Sequence, residues 1–213
     1  MYASWSKNQI MTQSLALFDF DGTLYLDDSF TQFIFYTLSK RHIVRKGIKI
    51  LPWIQAYYAK LYPADAMRQK LYQQMFEHQK YNEIQNLAQQ YSQLLLKKLN
   101  PVLLAQLRQH QQLGHQVVIV SASLDLYLKP LSDLLQVELI CTETAHHNHR
   151  LTGEYQTPDC SLEQKRLRIE QKFQLEQFSH IYAYGNSHED LAMLGLANHP
   201  FMVGQDKTLP KLS

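Results

Sequence analysis

The sequence predicts an α/β fold: a parallel sheet with helices on both faces, interrupted by one all-helical insertion. Three observations predict it. Short apolar runs rich in β-branched or aromatic residues recur at 15–18, 117–120, 137–141, 181–184 and 201–203. Helix-like stretches separate most of these runs, the alternation that gives a parallel sheet. Between 28 and 99 the strand pattern disappears, and apolar residues fall at helical spacing instead.

The first strand, Leu15-Ala16-Leu17-Phe18, ends abruptly in Asp19-Phe20-Asp21-Gly22-Thr23. It delivers two acids to its carboxyl end, the edge of an open α/β sheet where ligands bind. The insertion follows. Phe30, Phe33, Ile34, Thr37 and Leu38 share one helical face, as do Met67, Leu71 and Met75, and again Ile84, Leu87, Ala88 and Tyr91. Pro52 and Pro63 punctuate it. The division expected is a core of residues 1–27 and 97–213 with a helical cap at 28–96. A module leaving the chain there hangs over the two acids, where a lid excludes water and selects substrate.

Beyond the insertion, Asn100-Pro101 supplies an N-cap and first-turn proline, and Gly114 closes that helix. Ser161-Leu162-Glu163-Gln164 has the pattern of a capping box opening another. His146-His147-Asn148-His149 has the composition of a metal tract. Consecutive strand residues point to opposite faces, so a solvated loop before a hairpin is the expectation, not a transition-metal site.

Composition removes several function classes. The 213 residues carry a net charge of +2, with no Lys/Arg block, so no nucleic-acid partner is expected. Cys141 and Cys160 form no CxxC pair, which fits a reducing cytoplasmic setting and no zinc site. Met1 to Gln13 is polar and lacks the apolar segment of a signal peptide. No run has the length and apolarity of a membrane span. The nearest, residues 48–61, is broken by Lys49, Gln55 and Lys60. Its aromatics and basic flanks suit a membrane surface, but an amphipathic helix packed on its own domain is the preferred reading.

Four features carry chemistry, in order along the chain. After Asp19 and Asp21 comes Val117-Val118-Ile119-Val120-Ser121-Ala122-Ser123, a strand ending in small hydroxyl residues. Lys165 lies in the first turns of a helix. Tyr184-Gly185-Asn186-Ser187-His188-Glu189-Asp190 is a strand ending in glycine and polar groups. Each feature alone reads as a turn, a cap or a surface charge. Together they suit phosphoryl transfer. A carboxylate attacking a phosphate dianion needs a cation between them and donors on the phosphoryl oxygens. Asp19 is the expected nucleophile and Asp21 the acid, then base. Thr23, Ser121, Ala122 and Lys165 are the expected phosphate contacts. Mg²⁺ is the expected cofactor, on Asp19, the main-chain carbonyl of Asp21, and Asn186, with Asp190 in support.

These four motifs, in this order, resemble the haloacid dehalogenase-like (HAD) superfamily and its phosphoserine-phosphatase-like subfamily with a helical cap. The resemblance spans residues 15–204. It implies a Rossmann-like core and Mg²⁺-dependent phosphomonoester hydrolysis of a small phosphorylated metabolite. Asp21 implies phosphoryl chemistry, since dehalogenases of that superfamily lack an acid there. The chain departs from the pattern at Gly185-Asn186, where Gly-Asp is usual, so the metal site loses a negative charge. Phosphoserine phosphatase itself is disfavoured by Ser121-Ala122-Ser123 and by Gly185-Asn186-Ser187. Asp28 falls where that enzyme reads an amine, and reads equally as a helix N-cap. Arg41, Arg45 and Arg68 are candidates for a second anionic group on the substrate, against a plainer reading as solvated helix charges. The alternatives are a phosphatidylglycerophosphate-type head-group phosphatase at a membrane surface, a phosphomutase, and a non-catalytic binding protein on the same scaffold.

Overall fold

The computed structural model describes residues 13–213. The N-terminal stretch considered for a targeting signal lies, up to residue 12, outside the described residues.

Among the described residues the first element is β1 (Gln13–Phe18), followed by four consecutive helices, α1 (Ser29–Thr37), α2 (Lys40–Tyr58), α3 (Ala64–Phe76) and α4 (Tyr81–Leu96). The chain continues with α5 (Pro101–Gln112), β2 (Gln116–Leu124), α6 (Asp125–Leu135) and β3 (Glu138–Thr142). A hairpin, β4 (Thr144–His147) and β5 (Arg150–Tyr155), precedes α7 (Glu163–Lys172), β6 (Phe178–Gly185), α8 (Leu191–Leu194) and β7 (His199–Met202).

Five strands form one parallel sheet in the order β3-β2-β1-β6-β7. β1 is central, which explains its continuous apolar sequence: it is buried on both faces. Alternate residues serve two separate cores. Ala16, Phe18, Ile119 and Tyr184 pack toward α5, α6 and the inserted helices. Leu15, Leu17, Val120 and Ala183 pack toward Ile169 of α7 and Met193 of α8. The strand order reverses at β1, with β2 on one side and β6 on the other. The carboxyl ends of these strands therefore border the crevice where such sheets bind ligands.

The inserted helices are seated by aromatic packing and by backbone pairing. Phe33 of α1 lies 4.8 Å from Tyr127 of α6 and 5.5 Å from Phe76 of α3, centroid to centroid. At the α3–α4 link, His78 N–H donates to the Leu151 carbonyl and Leu151 N–H donates to that of Gln79, each at 2.9 Å. The hairpin thus holds the insertion by main-chain bonds.

Three local expectations are corrected. Pro52 does not interrupt the helix but lies inside α2. The carbonyl it leaves without an N–H partner is that of Ile48, an exposed residue, so water can satisfy it. Ser161 does not cap α7. The N-cap is Leu162, at φ +51°, with no side-chain cap bond. The capping box forms instead at Ser187 and Asp190. The hairpin turn falls on Asn148 and His149, both at positive φ, so His146 and His147 belong to β4. His146 stacks 4.1 Å from Tyr81.

Behind the sheet, Phe18 and Tyr184 stack at 4.3 Å. The Tyr184 hydroxyl lies 2.8 Å from His110 Nε2 and accepts from Gln106 Nε2 at 3.0 Å. His110 Nδ1 is 2.8 Å from His115 Nδ1. His110 is fully buried, and burial, reinforced by neighbouring His115, lowers its pKa to about 3. Below the unfolded value near 6.5 the unfolded chain then binds the extra proton. The contribution is complete above pH 6.5 and is lost as pH falls toward 3, at about 1.4 kcal/mol per pH unit. Thermal unfolding followed from pH 7 to pH 5 is therefore expected to show a shallower pH dependence in His110→Gln than in the wild type.

Candidate active site

The loop after β1 turns sharply because Gly22 sits at φ +80°, a conformation costly for residues with a Cβ. A Cβ on Gly22 would also fall within the Asn186 side chain. Glycine here brings the first and fourth motifs together. Gly185 does the same within the fourth: a Cβ there would stand 2.6 Å from Cβ of Asp190.

Lys165 occupies the centre. Its ammonium donates to Asp19 Oδ1 at 2.6 Å and to Asp190 Oδ1 at 2.5 Å, and all three side chains are buried. Asp190 Oδ2 accepts from the backbone N–H groups of Asn186 and Ser187 at 2.9 and 3.0 Å. Burial raises the Asp190 pKa, but Lys165 and these N–H groups outweigh it and hold the carboxyl below its ordinary range. Asp19 has less support. Burial pushes it up to about 7, against the lowering pull of Lys165. Its second oxygen takes no side-chain hydrogen bond among the described residues.

Asp21 is held differently. Oδ1 accepts from the Ser29 backbone N–H at 2.6 Å, and Oδ2 accepts from the Ser123 hydroxyl at 2.5 Å. Burial raises its pKa, only partly offset by these two donors. Burial thus disfavours the charged form of both acids. The sequence alone assigns Ser29 and Ser123 no role. Hydroxyl residues at a strand end and a helix start are too common to single out.

Both acids open into a cavity of about 450 Å³. Ser121, Ala122, Lys165, Asn186 and Asp190 share its wall. Ser121 is held in place by accepting the Ser123 backbone N–H at 3.0 Å. Phe30 of α1, Ile54 and Tyr57 of α2 and Met67 of α3 form the opposite, apolar side. The inserted helices therefore roof the carboxyl edge of the sheet. Thr23 stands outside the cavity wall; it is fully buried, and its hydroxyl lies 3.4 Å from a terminal atom of the Asn186 amide. Asp28 lines the cavity but caps α1, accepting from Thr31 N–H at 2.9 Å and from the Thr31 hydroxyl at 2.7 Å. Arg41 and Arg45 are exposed on α2 and away from the wall. Arg68 does reach it, but not as a free cation. It grips Asp159 with two bonds of 2.9 Å and Glu189 with one of 3.1 Å.

The donor set suits a divalent cation. Among the described residues, Asp19 keeps one oxygen free of side-chain partners, and the main-chain carbonyl of Asp21 lies beside the Asn186 amide. One terminal atom of the Asn186 side chain lies 3.1 Å from the Asp21 carbonyl oxygen and 3.3 Å from Asp190 Oδ2. As a nitrogen it donates to both. As an oxygen it forms, with that carbonyl, a pair of acceptors that a bound cation would draw together. The same amide can thus serve the site with or without metal.

Comparison with known proteins gives a consistent picture. The family model for haloacid dehalogenase-like hydrolase (HAD) matches residues 16–195. No curated protein matches the chain. A protein of unknown function from Bordetella pertussis Tohama I is 20% identical, with 90% of each chain covered and a TM-score of 0.73. A HAD-family hydrolase from Salmonella enterica subsp. enterica serovar Typhi is 17% identical over 86% of this chain and 60% of that one, with a TM-score of 0.64. A phosphoserine phosphatase structure described as a phospho-aspartyl intermediate analogue is 15% identical over 90% of this chain and 86% of that one, with a TM-score of 0.62. At these identities the likeness is one of fold.

Removing the central cation leaves two buried acids uncompensated. Lys165→Met is expected to destabilise the protein by about 3–5 kcal/mol. Lys80→Met, which breaks the exposed pair with Glu83, is expected to change stability by less than about 1 kcal/mol. Denaturant unfolding of both variants checks the contrast.

Proposed function

The chain belongs to the haloacid dehalogenase-like hydrolases, and from that premise we propose that it is a phosphatase that hydrolyses phosphomonoesters through an aspartyl-phosphate on Asp19. One observation carries the reading. Two carboxylates at the end of the central strand open into the same cavity with different partners, Lys165 for one and Ser29 with Ser123 for the other. That difference divides the labour of nucleophile and proton carrier. The phospho-aspartyl analogue of the phosphoserine phosphatase of similar fold supports it by analogy.

The steps balance on this chain's own residues. Asp19 attacks phosphorus with the oxygen that Lys165 does not hold, and the ester P–O bond breaks. Asp21, protonated, gives its proton to the leaving oxygen. As a carboxylate it then takes a proton from the water that attacks the aspartyl-phosphate. Inorganic phosphate leaves, and Asp19 and Asp21 return to their starting states. Ser121, the Ala122 N–H and Lys165 are the phosphoryl-oxygen donors in this reading. Asp19, the Asp21 carbonyl and Asn186 would hold Mg²⁺, which would supply charge neutralisation between nucleophile and phosphate. The roof of α1, α2 and α3, taken as a cap spanning residues 28–96, excludes water and admits a small phosphorylated substrate.

Hydrolysis of an aryl phosphate tests the proposal. Turnover is expected with Mg²⁺ and lost with EDTA. Asp19→Asn is expected to abolish it, and Asp21→Asn to lower kcat by about 10²–10⁴-fold. Turnover that survives Asp19→Asn overturns the proposal.

A further inference from the structure

Helix α2 is amphipathic twice over. Its inner face, with Ile43, Ile50 and Ile54, packs on the insertion, and Ile50 is the one side chain of the helix that is buried. Its outer face is also apolar. Val44, Ile48, Leu51 and Tyr58 follow one another at helical spacing, with exposures of 61, 68, 48 and 79%. Leu61, just beyond the helix, is 82% exposed. Nothing among the described residues covers this stripe, although the packing reading of residues 48–61 required that the apolar side chains be covered.

The charges beside the stripe are of one sign. Residues 40–60 contain six cations, Lys40, Arg41, Arg45, Lys46, Lys49 and Lys60, and no acid. Arg41, Arg45 and Lys49 recur every four residues along one flank of the stripe, and all three are exposed. They have no carboxylate partner among the described residues. A water-facing helix in a chain of net charge +2 has no folding reason to combine unpaired cations with exposed aliphatic side chains. A surface that is apolar within and anionic at its boundary satisfies both.

We propose that the outer face of α2 docks this protein on an anionic lipid bilayer surface. The occupant is argued from charge as well as apolarity: a purely apolar partner would leave Arg41, Arg45 and Lys49 unanswered. No helix among the described residues is long and apolar enough to cross a membrane, so the helix lies in the interface plane. Tyr58 belongs both to the stripe and to the cavity wall. Docking therefore brings the mouth of the cavity to the bilayer surface. The docking goes beyond the proposed activity and does not depend on it.

Co-sedimentation with phosphatidylcholine vesicles, with and without phosphatidylglycerol, tests the inference at low and high salt. The full chain is expected to pellet with the anionic vesicles at low salt and to be released by salt. Arg41→Gln/Arg45→Gln/Lys49→Gln is expected to weaken binding by roughly a hundredfold. Ile48→Asp/Leu51→Asp is expected to weaken it by about tenfold or more. Both variants are expected to keep the wild-type circular dichroism, and aryl phosphate turnover, which neither set of substitutions touches, is expected to stay as in the wild type. Equal binding by wild type and variants overturns the proposal. So does a wild type that stays in the supernatant at low salt. Sedimentation velocity tests the rival occupant: a dimer that Ile48→Asp/Leu51→Asp dissociates puts a second copy on this face and overturns the bilayer.

Discussion

One ammonium holds this site together. Lys165 lies between Asp19 and Asp190, at 2.6 and 2.5 Å, where water cannot dilute the interaction. Each acid comes from a different strand end, and the lysine from the start of a helix. Three segments that are remote in sequence are thus pinned by charges that cannot be left alone inside a protein. The arrangement is also unbalanced. One lysine faces two carboxylates, and burial pushes Asp19 up to about 7 against its pull.

The sheet explains why the segments meet. Because β1 is central, its loop lies between those of β2 and β6. Ser123 can then hold Asp21 from one side, while Asn186 abuts Gly22 from the other. The insertion leaves directly after this loop. Its first helix begins with Ser29, whose backbone N–H binds Asp21, so the roof is fastened to this acid at the first residue of the helix. Tyr91 of α4 binds the carbonyl of the same Ser29 at 2.9 Å, which fixes that junction from above.

Much of this is legible in the residues. The five strands announce themselves because a parallel sheet buries both faces and so needs unbroken apolar runs. Asp19 and Asp21 are legible because acids at a strand exit are costly without a purpose, and Lys165 and Asn186 only because they follow in order at a helix start and a strand exit. The place of Thr23 in its motif suggests a phosphate contact, but its hydroxyl turns to Asn186. Arg68 looks like a free cation because Asp159 and Glu189 are far away in sequence, and only the fold brings them together. The Ser161 pattern misleads for a local reason: Leu162 takes a left-handed backbone, and the helix starts later. The outer face of α2 is hidden by the assumption that an apolar period implies a buried face. The sequence shows the period, but not how many sides of the helix find neighbours.

Arg68 gives the roof a second attachment. Its guanidinium leaves α3 to hold Asp159, which precedes α7, and Glu189, the residue before Asp190. A swing of the helical roof away from the sheet would have to release both grips together. Glu189 is joined by one peptide bond to an acid that Lys165 holds, so the latch and the reaction centre share a mechanical linkage. Roof and site are thereby joined through one charged clasp, whose side chains are at most 23% exposed, so salt screens it less than an open surface pair.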